Sequence, residues 1–301
     1  MKRRGRENGR CFRFVSRKER LLRLAASAAL CCAALVCVWQ LIRYAVDDRR
    51  AKDASAALRA EYYSQPASTP QPPRLRPLRS PIRCPPSGIP IHPYATVSSR
   101  FRKLRQQNGD IVGWLKIEGM LDEAVVQRDN AYYLARDYRG YHNVNGAIFL
   151  DESCALDTRP YTLILYGHNM KTGAMFGSLR NYENLRYYKA NPFITFDTAY
   201  EEGEYVVFCV ATVGVTPESR SSVNFALLES LSLSQREEAL ETLTGYSLYK
   251  TSLDVQPDDQ LLLLMTCVDD DSERRVVAAR RLREGENRER LEKIVQEARK
   301  K

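Results

Sequence analysis

The sequence predicts a β-rich mixed α/β fold, a barrel or sandwich with peripheral helices, preceded by one transmembrane helix. Three observations carry that class. Seven or so short β-type runs alternate with turns: 111–117 (IVGWLKI), 123–127, 146–151, 161–167, 204–213, 260–268 and 274–282. Segments with helical apolar spacing lie before, between and after them. Near the N-terminus, residues 24–42 form a run of 19 without a charge, bounded by Arg23 and Arg43.

Composition sets the outer limits. The 301 residues are 44% hydrophobic and include 17 Tyr and 9 Phe, enough for a packed core, which excludes wholesale disorder. Fifteen glycines and no internal period exclude a collagen-like or repeat architecture. The net charge of +9 invites a nucleic-acid partner, but residues 1–23 alone carry +8. The rest of the chain is nearly neutral, so no basic groove for phosphates is expected and no nucleic acid is a partner.

The 19-residue run would span ~28 Å as a helix, close to the hydrocarbon thickness of a bilayer. Trp39 and Tyr44 suit an interface. A cleaved signal peptide is the alternative, but the run is long and ends in WQLIRYAV, a poor cleavage site. The basic tail precedes the span, so the positive-inside rule places the N-terminus in the cytoplasm and the rest outside. Residues 47–63 are Ala-rich and helix-compatible, and ten of the fourteen prolines fall between Pro66 and Pro93. The organisation expected is a basic tail (1–23), an anchor (24–46), a juxtamembrane helix with a Pro-rich stalk (47–93) and an extracytoplasmic body (94–301).

Within the body, Val97, Phe101 and Leu104 have helical spacing, stopped by Asn108-Gly109. Between the fifth and sixth runs, Ser234 with Glu237 reads as a capping box, ahead of an apolar face on Ala239, Leu240, Leu243 and Tyr246–Leu248. Leu291, Ile294, Val295 and Ala298 form the stripe of a closing helix.

Few residues suit covalent chemistry. Of three histidines, His92 lies in the Pro-rich stretch, His142 in a loop, and His168 just past an apolar strand in LILYGHNMKTG. A rigid sheet displays catalytic groups at such strand ends. Cys267 ends the strand LLLLMTC and precedes an acidic loop. Cys209 reads as mid-strand core and Cys154 as incidental. The eight cysteines form neither a CxxC nor a zinc spacing. Arg275 follows Cys267 by eight residues, where a strand–loop–strand hairpin would return it beside the thiol, with Arg274 on the opposite face. Alone, each residue has a structural reading: a satisfied His, a buried Cys, a surface Arg. Together, Cys, His and Arg at neighbouring strand ends can perform acyl transfer, with thiolate attack, proton exchange by His and charge stabilisation by Arg.

The chain resembles the class B sortases. The similarity runs from about residue 96 to 283 and rests on DIVGWLKIEG, VVQRDNAYYL, GAIFLD, LYGHNMKTGAMFGSL, ANPFITFDT, MTC and RRVVAARRL. It implies a closed eight-stranded sortase-type β-barrel and a long helix over 224–250. It implies Cys267 as nucleophile, His168 as acid/base and Arg275 as the third catalytic residue. By motif it places substrate contacts at Asn130, Leu134, Tyr166 and Thr266. One departure is Met265, where the family often carries Ser two residues before the nucleophile. The chain has no Asp-Pro dipeptide, which disfavours the pilus-building class C sortases.

The activity expected is a cysteine transpeptidase that cleaves surface proteins after Thr in a C-terminal NPxTx-like sorting motif. It would pass them to an amine of a peptidoglycan precursor or a pilin. The expected partners are therefore sorting-signal proteins, that amine and the lipid bilayer. No metal or organic cofactor is implied, and Asp269–Asp271 reads as a solvated loop. The rival readings are a cysteine hydrolase using water and a non-catalytic anchored binding module.

Overall fold

The computed structural model describes residues 17–65, 96–156, 159–214, 225–268 and 273–301. The basic tail before Arg17, the Pro-rich stretch with Cys84 and His92, and the acidic loop Asp269–Asp271 lie outside the described residues. So do the side chains of Cys267 and Val268, whose backbones belong to a strand. The chain divides into two compact units, residues 1–50 and 51–301.

Helix α1 runs without interruption over Arg17–Ser64. From Leu21 onward it is long and apolar enough to cross a membrane, and among the described residues nothing packs on its most apolar window.

The second unit is built on eight strands: β1 (Ile111–Ile117), β2 (Leu121–Val126), β3 (Ile148–Leu150), β4 (Thr162–Tyr166), β5 (Phe193–Thr198), β6 (Glu204–Gly214), β7 (Leu261–Val268) and β8 (Glu273–Arg281). They close into a barrel in the order β1-β2-β3-β4-β7-β8-β6-β5. Two contacts are parallel, β2 with β3 and β4 with β7. The closed eight-stranded barrel implied by the resemblance is the architecture found. Strand β5 is the one the run-by-run reading passes over, a short segment directly behind Pro192.

The strands are buried on both faces, which explains their near-continuous apolar runs. In β1, Leu115 and Ile117 belong to the core cluster shared with β4, β6 and β7. Trp114 belongs to a second cluster with Phe101, Leu104, Val126 and Phe149. Helix α2 (Ser99–Gln107) covers that second face through Phe101 and Leu104. The Ser98 hydroxyl caps it by accepting from the Phe101 amide at 3.4 Å.

The juxtamembrane helix expected at 47–63 forms the end of α1, and it covers the same face. Leu58 and Tyr62, 1% and 3% exposed, join the second cluster. The Tyr62 ring stacks on Trp114 at 4.2 Å, and its hydroxyl donates to Asp197 Oδ2 at 2.5 Å. Arg59 Nε donates to the Asp122 carbonyl at 3.0 Å. Sparse apolar residues one turn apart in an Ala-rich helix carry little sequence signal, yet two of them suffice to dock it.

Helix α3 (Leu185–Ala190) precedes β5. Instead of one long helix over 224–250, a 3-10 segment, Phe225–Ser230, is followed by α4 (Leu233–Gly245). The cap also sits two residues before the expected Ser234–Glu237 pair: the Ser232 amide donates to Gln235 Oε1 at 3.0 Å. Leu240 and Leu243 bury its apolar face as expected. Helix α5 (Arg288–Gln296) buries Leu291 and Val295.

Candidate active site

The site lies at one rim of the barrel, where β4, β7 and β8 end or begin side by side. In the parallel pair β4–β7, Tyr166 aligns with Met265. His168 and Cys267 each follow two residues later, so the backbone register carries the two to neighbouring strand ends.

The turn that displays His168 is tightly built. The Phe176 amide donates to the His168 carbonyl at 3.0 Å, closing the loop, and Asn169 bridges to Met175. Gly167 lies against the Phe176 ring, where a Cβ would stand 2.9 Å from ring carbons. The half-buried imidazole is held by Nε2, 2.6 Å from the Leu134 carbonyl. A carbonyl can only accept, so Nε2 carries a proton and Nδ1 is the nitrogen left for proton exchange. Gly146 shapes the other side with φ +62°, and a Cβ there would stand 2.7 Å from the Leu134 carbonyl oxygen and 3.1 Å from His168 Cδ2.

The hairpin β7–β8 pairs Thr266 with Arg275 and Cys267 with Arg274. Arg275 therefore does not face Cys267 directly as expected, but stands one register step away, opposite Thr266. Its side chain is 8% exposed as a residue and ion-paired to Glu183, with Nε and Nη2 at 2.8 and 2.5 Å from Oε1. Arg275 Nη1 and Thr266 Oγ1 are buried without a hydrogen-bond partner among the described residues.

Comparisons with known proteins place the fold. A family model described as the sortase domain matches residues 115–282, more than half of the chain. The chain belongs to the sortase family. A sortase B of Listeria monocytogenes is 29% identical over 168 residues, covering 55% of this chain and 66% of that protein, just under two thirds of its length. The crystal structure of sortase B from Bacillus anthracis in complex with AAEK2 aligns with TM-score 0.62 at 28% identity, over 78% of this chain and 97% of that one. A sortase B complexed with triglycine aligns with TM-score 0.56 at 28% identity, over 64% and 89% of the two chains. These relatives place the chain in class B.

In this sortase the residues marked as substrate contacts fall into two groups. Tyr166 and Asn130 meet at Asp151, a 5% exposed carboxylate. Asn130 Nδ2 donates to Asp151 Oδ2 at 3.0 Å, while Asn130 Oδ1 accepts from the Glu152 amide at 3.0 Å. Burial first, and then Asp151, raise the Tyr166 phenol well above its usual pKa. Leu134 contacts His168 through its carbonyl, and the residue is 42% exposed. Thr266 is buried between Met265 and Cys267, and Met265 is itself only 5% exposed. His142 is exposed in the loop bridged to Arg136 and belongs to neither group.

Two other cysteines are excluded as nucleophiles by their surroundings. Cys154 and Cys209 are buried, their thiols donating to the Thr162 and Leu243 carbonyls at 3.4 Å. Burial pushes each thiol up to about 12, so neither supplies thiolate near neutral pH. Glu183 and Asp151 are the residues that sequence reasoning passes over. Asp151 had a signal, a carboxylate ending the wholly apolar strand IFL. Glu183 had none, since NYENL reads as an ordinary polar turn. Among the described residues no cluster of His, Cys, Asp and Glu is arranged to hold a metal.

Proposed function

We propose that this sortase is a membrane-anchored cysteine transpeptidase acting on surface proteins that carry a C-terminal NPxTx-like sorting motif. Cys267 thiolate attacks the carbonyl carbon after the Thr side chain, forming a C–S bond and a tetrahedral oxyanion. Collapse breaks the C–N bond. The leaving amine takes a proton from His168 and departs with the C-terminal fragment. An incoming amine then attacks the thioester and gives its proton back to His168. The new amide forms as thiolate is released. Arg275 supplies positive charge where the oxyanion develops or holds the substrate backbone.

The observation that carries this reading is the β4–β7 register, which sets His168 and Cys267 at adjacent strand ends. The sortase B complexed with triglycine supports a free amine, from a peptidoglycan precursor or a pilin, as the acceptor. The uncharged run 24–42 behind the basic tail supports a single anchor with the barrel on the extracytoplasmic face.

The test is cleavage of an NPxTx peptide library by the full chain in detergent micelles, with products weighed with and without triglycine. Joining of the Thr-terminated fragment to triglycine is expected. Release of free acid alone, unchanged by triglycine, would instead make the chain a hydrolase.

A further inference from the structure

We infer that Glu183 is a positioning residue for the transpeptidase reaction: it holds two nitrogens of the Arg275 guanidinium and so aims the third, Nη1, at the substrate. The inference rests on the reading of Arg275 as a member of the catalytic set. Arg275 uses Nε and Nη2 on one oxygen, Glu183 Oε1, at 2.8 and 2.5 Å. Among the described residues that leaves Nη1 buried and unpartnered, and its cross-strand neighbour Thr266 presents Oγ1 in the same condition. Two buried polar atoms without partners, side by side on one hairpin, cost free energy unless something accepts from them when the enzyme works. A peptide carbonyl of an extended substrate is an acceptor of the right chemistry for both.

The placement of Glu183 is itself determined. It ends the 3-10 segment Phe176–Glu183. The first amide of that segment is bonded to the His168 carbonyl at 3.0 Å. Next to its last residue, Tyr182 is fully buried and its carbonyl accepts from the Tyr249 hydroxyl at 2.7 Å. One short rigid segment therefore ties the His168 turn at one end to the Arg275 guanidinium at the other. A guanidinium fixed before substrate arrives need not reorganise as charge develops. Glu183 reaches Arg275 from a half-exposed position, so the barrel core is not built on it.

The test measures steady-state cleavage of the best NPxTx library peptide by the full chain in micelles, for wild type, Glu183→Ala, Glu183→Gln, Arg275→Ala and the double variant Glu183→Ala/Arg275→Ala. Glu183→Ala is expected to lose about 10- to 100-fold in kcat with a smaller change in KM, as for an interaction that matters most in the transition state. Glu183→Gln keeps an acceptor oxygen without the charge and should fall between it and wild type. In the Arg275→Ala background the second change should add almost nothing, which a merely structural role would not produce. Thermal melting of each variant separates loss of fold from loss of alignment, and Glu183→Gln serves if Glu183→Ala melts early. An impaired Arg275→Ala beside a fully active Glu183→Ala overturns this inference alone. So does a Glu183→Ala loss that persists undiminished without Arg275. A wild type inert to the library, or an Arg275→Ala chain as active as wild type, overturns the catalytic reading and the inference with it.

Discussion

The two flanks of the proposed catalytic rim are built on opposite principles. His168 sits half-buried on a loop, and one carbonyl at 2.6 Å holds its ring. Arg275 lies within a strand, one-tenth exposed at its side chain and held twice by one carboxylate. The difference fits the tasks proposed for them. A proton carrier must meet a thiol, a leaving amine and an incoming amine in turn, so it needs solvent access and a nitrogen free of partners. A group that answers developing charge works best when already fixed and desolvated.

The comparison can be broken by substitutions on each flank. The largest loss short of the nucleophile belongs to the proton carrier: His168→Ala should lower kcat/KM by at least ~10²-fold. Arg275→Lys keeps the charge but cannot satisfy Glu183 and a substrate carbonyl together, and a loss of at least ~10-fold is expected. Arg274→Ala sharpens this contrast, because Arg274 is the residue directly opposite Cys267 in the register. A mild effect there and a severe one at Arg275 support the present assignment; the reverse pattern would move the catalytic role to Arg274.

Smaller effects test the supports. Gly146→Ala forces a Cβ into a φ of +62° and toward the Leu134 carbonyl that holds His168. It should cost ~1–3 kcal/mol of stability and reduce cleavage less than His168→Ala, read by melting and by kcat. Leu58→Ala opens the patch beneath the end of α1, with an expected loss of ~2–5 kcal/mol in denaturant unfolding and no change in kcat while folded. The same packing means that a chain cut to begin at residue 94 uncovers Trp114 and Phe101 and should melt below the full second unit. Equal melting of the two would show that α1 contributes no cover.

How much of this was legible in the sequence varies with the kind of interaction. Continuous apolar runs and their turn boundaries located β1, β4, β6, β7 and β8 to within a residue or two, because strands buried on both faces leave long apolar segments. The Asn108 stop and the Leu291–Val295 stripe held for the same local reasons. Long-range effects were illegible. The register that sets Arg275 opposite Thr266 depends on how the hairpin closes, and the run of residues between Cys267 and Arg275 does not state it. Docking of Leu58 and Tyr62 depends on an aromatic face 52 residues further along at Trp114, counted from Tyr62. The Glu183 contact joins residues 92 apart. His168 and Cys267 were named from strand ends and from the family motif. The parallel pairing of β4 with β7, which brings their strand ends side by side, belongs to the fold.

The most direct measurement of the central claim is peptide mapping of the covalent intermediate. The full chain is mixed with an NPxTx peptide that it cleaves, quenched in acid and digested, and the Thr-terminated acyl group is located by mass. The account expects the acyl group on Cys267, no adduct and no cleavage with Cys267→Ala, and unmodified Cys154 and Cys209, whose thiols burial pushes up to about 12. An acyl group on either of those cysteines, or cleavage that survives Cys267→Ala, would contradict it.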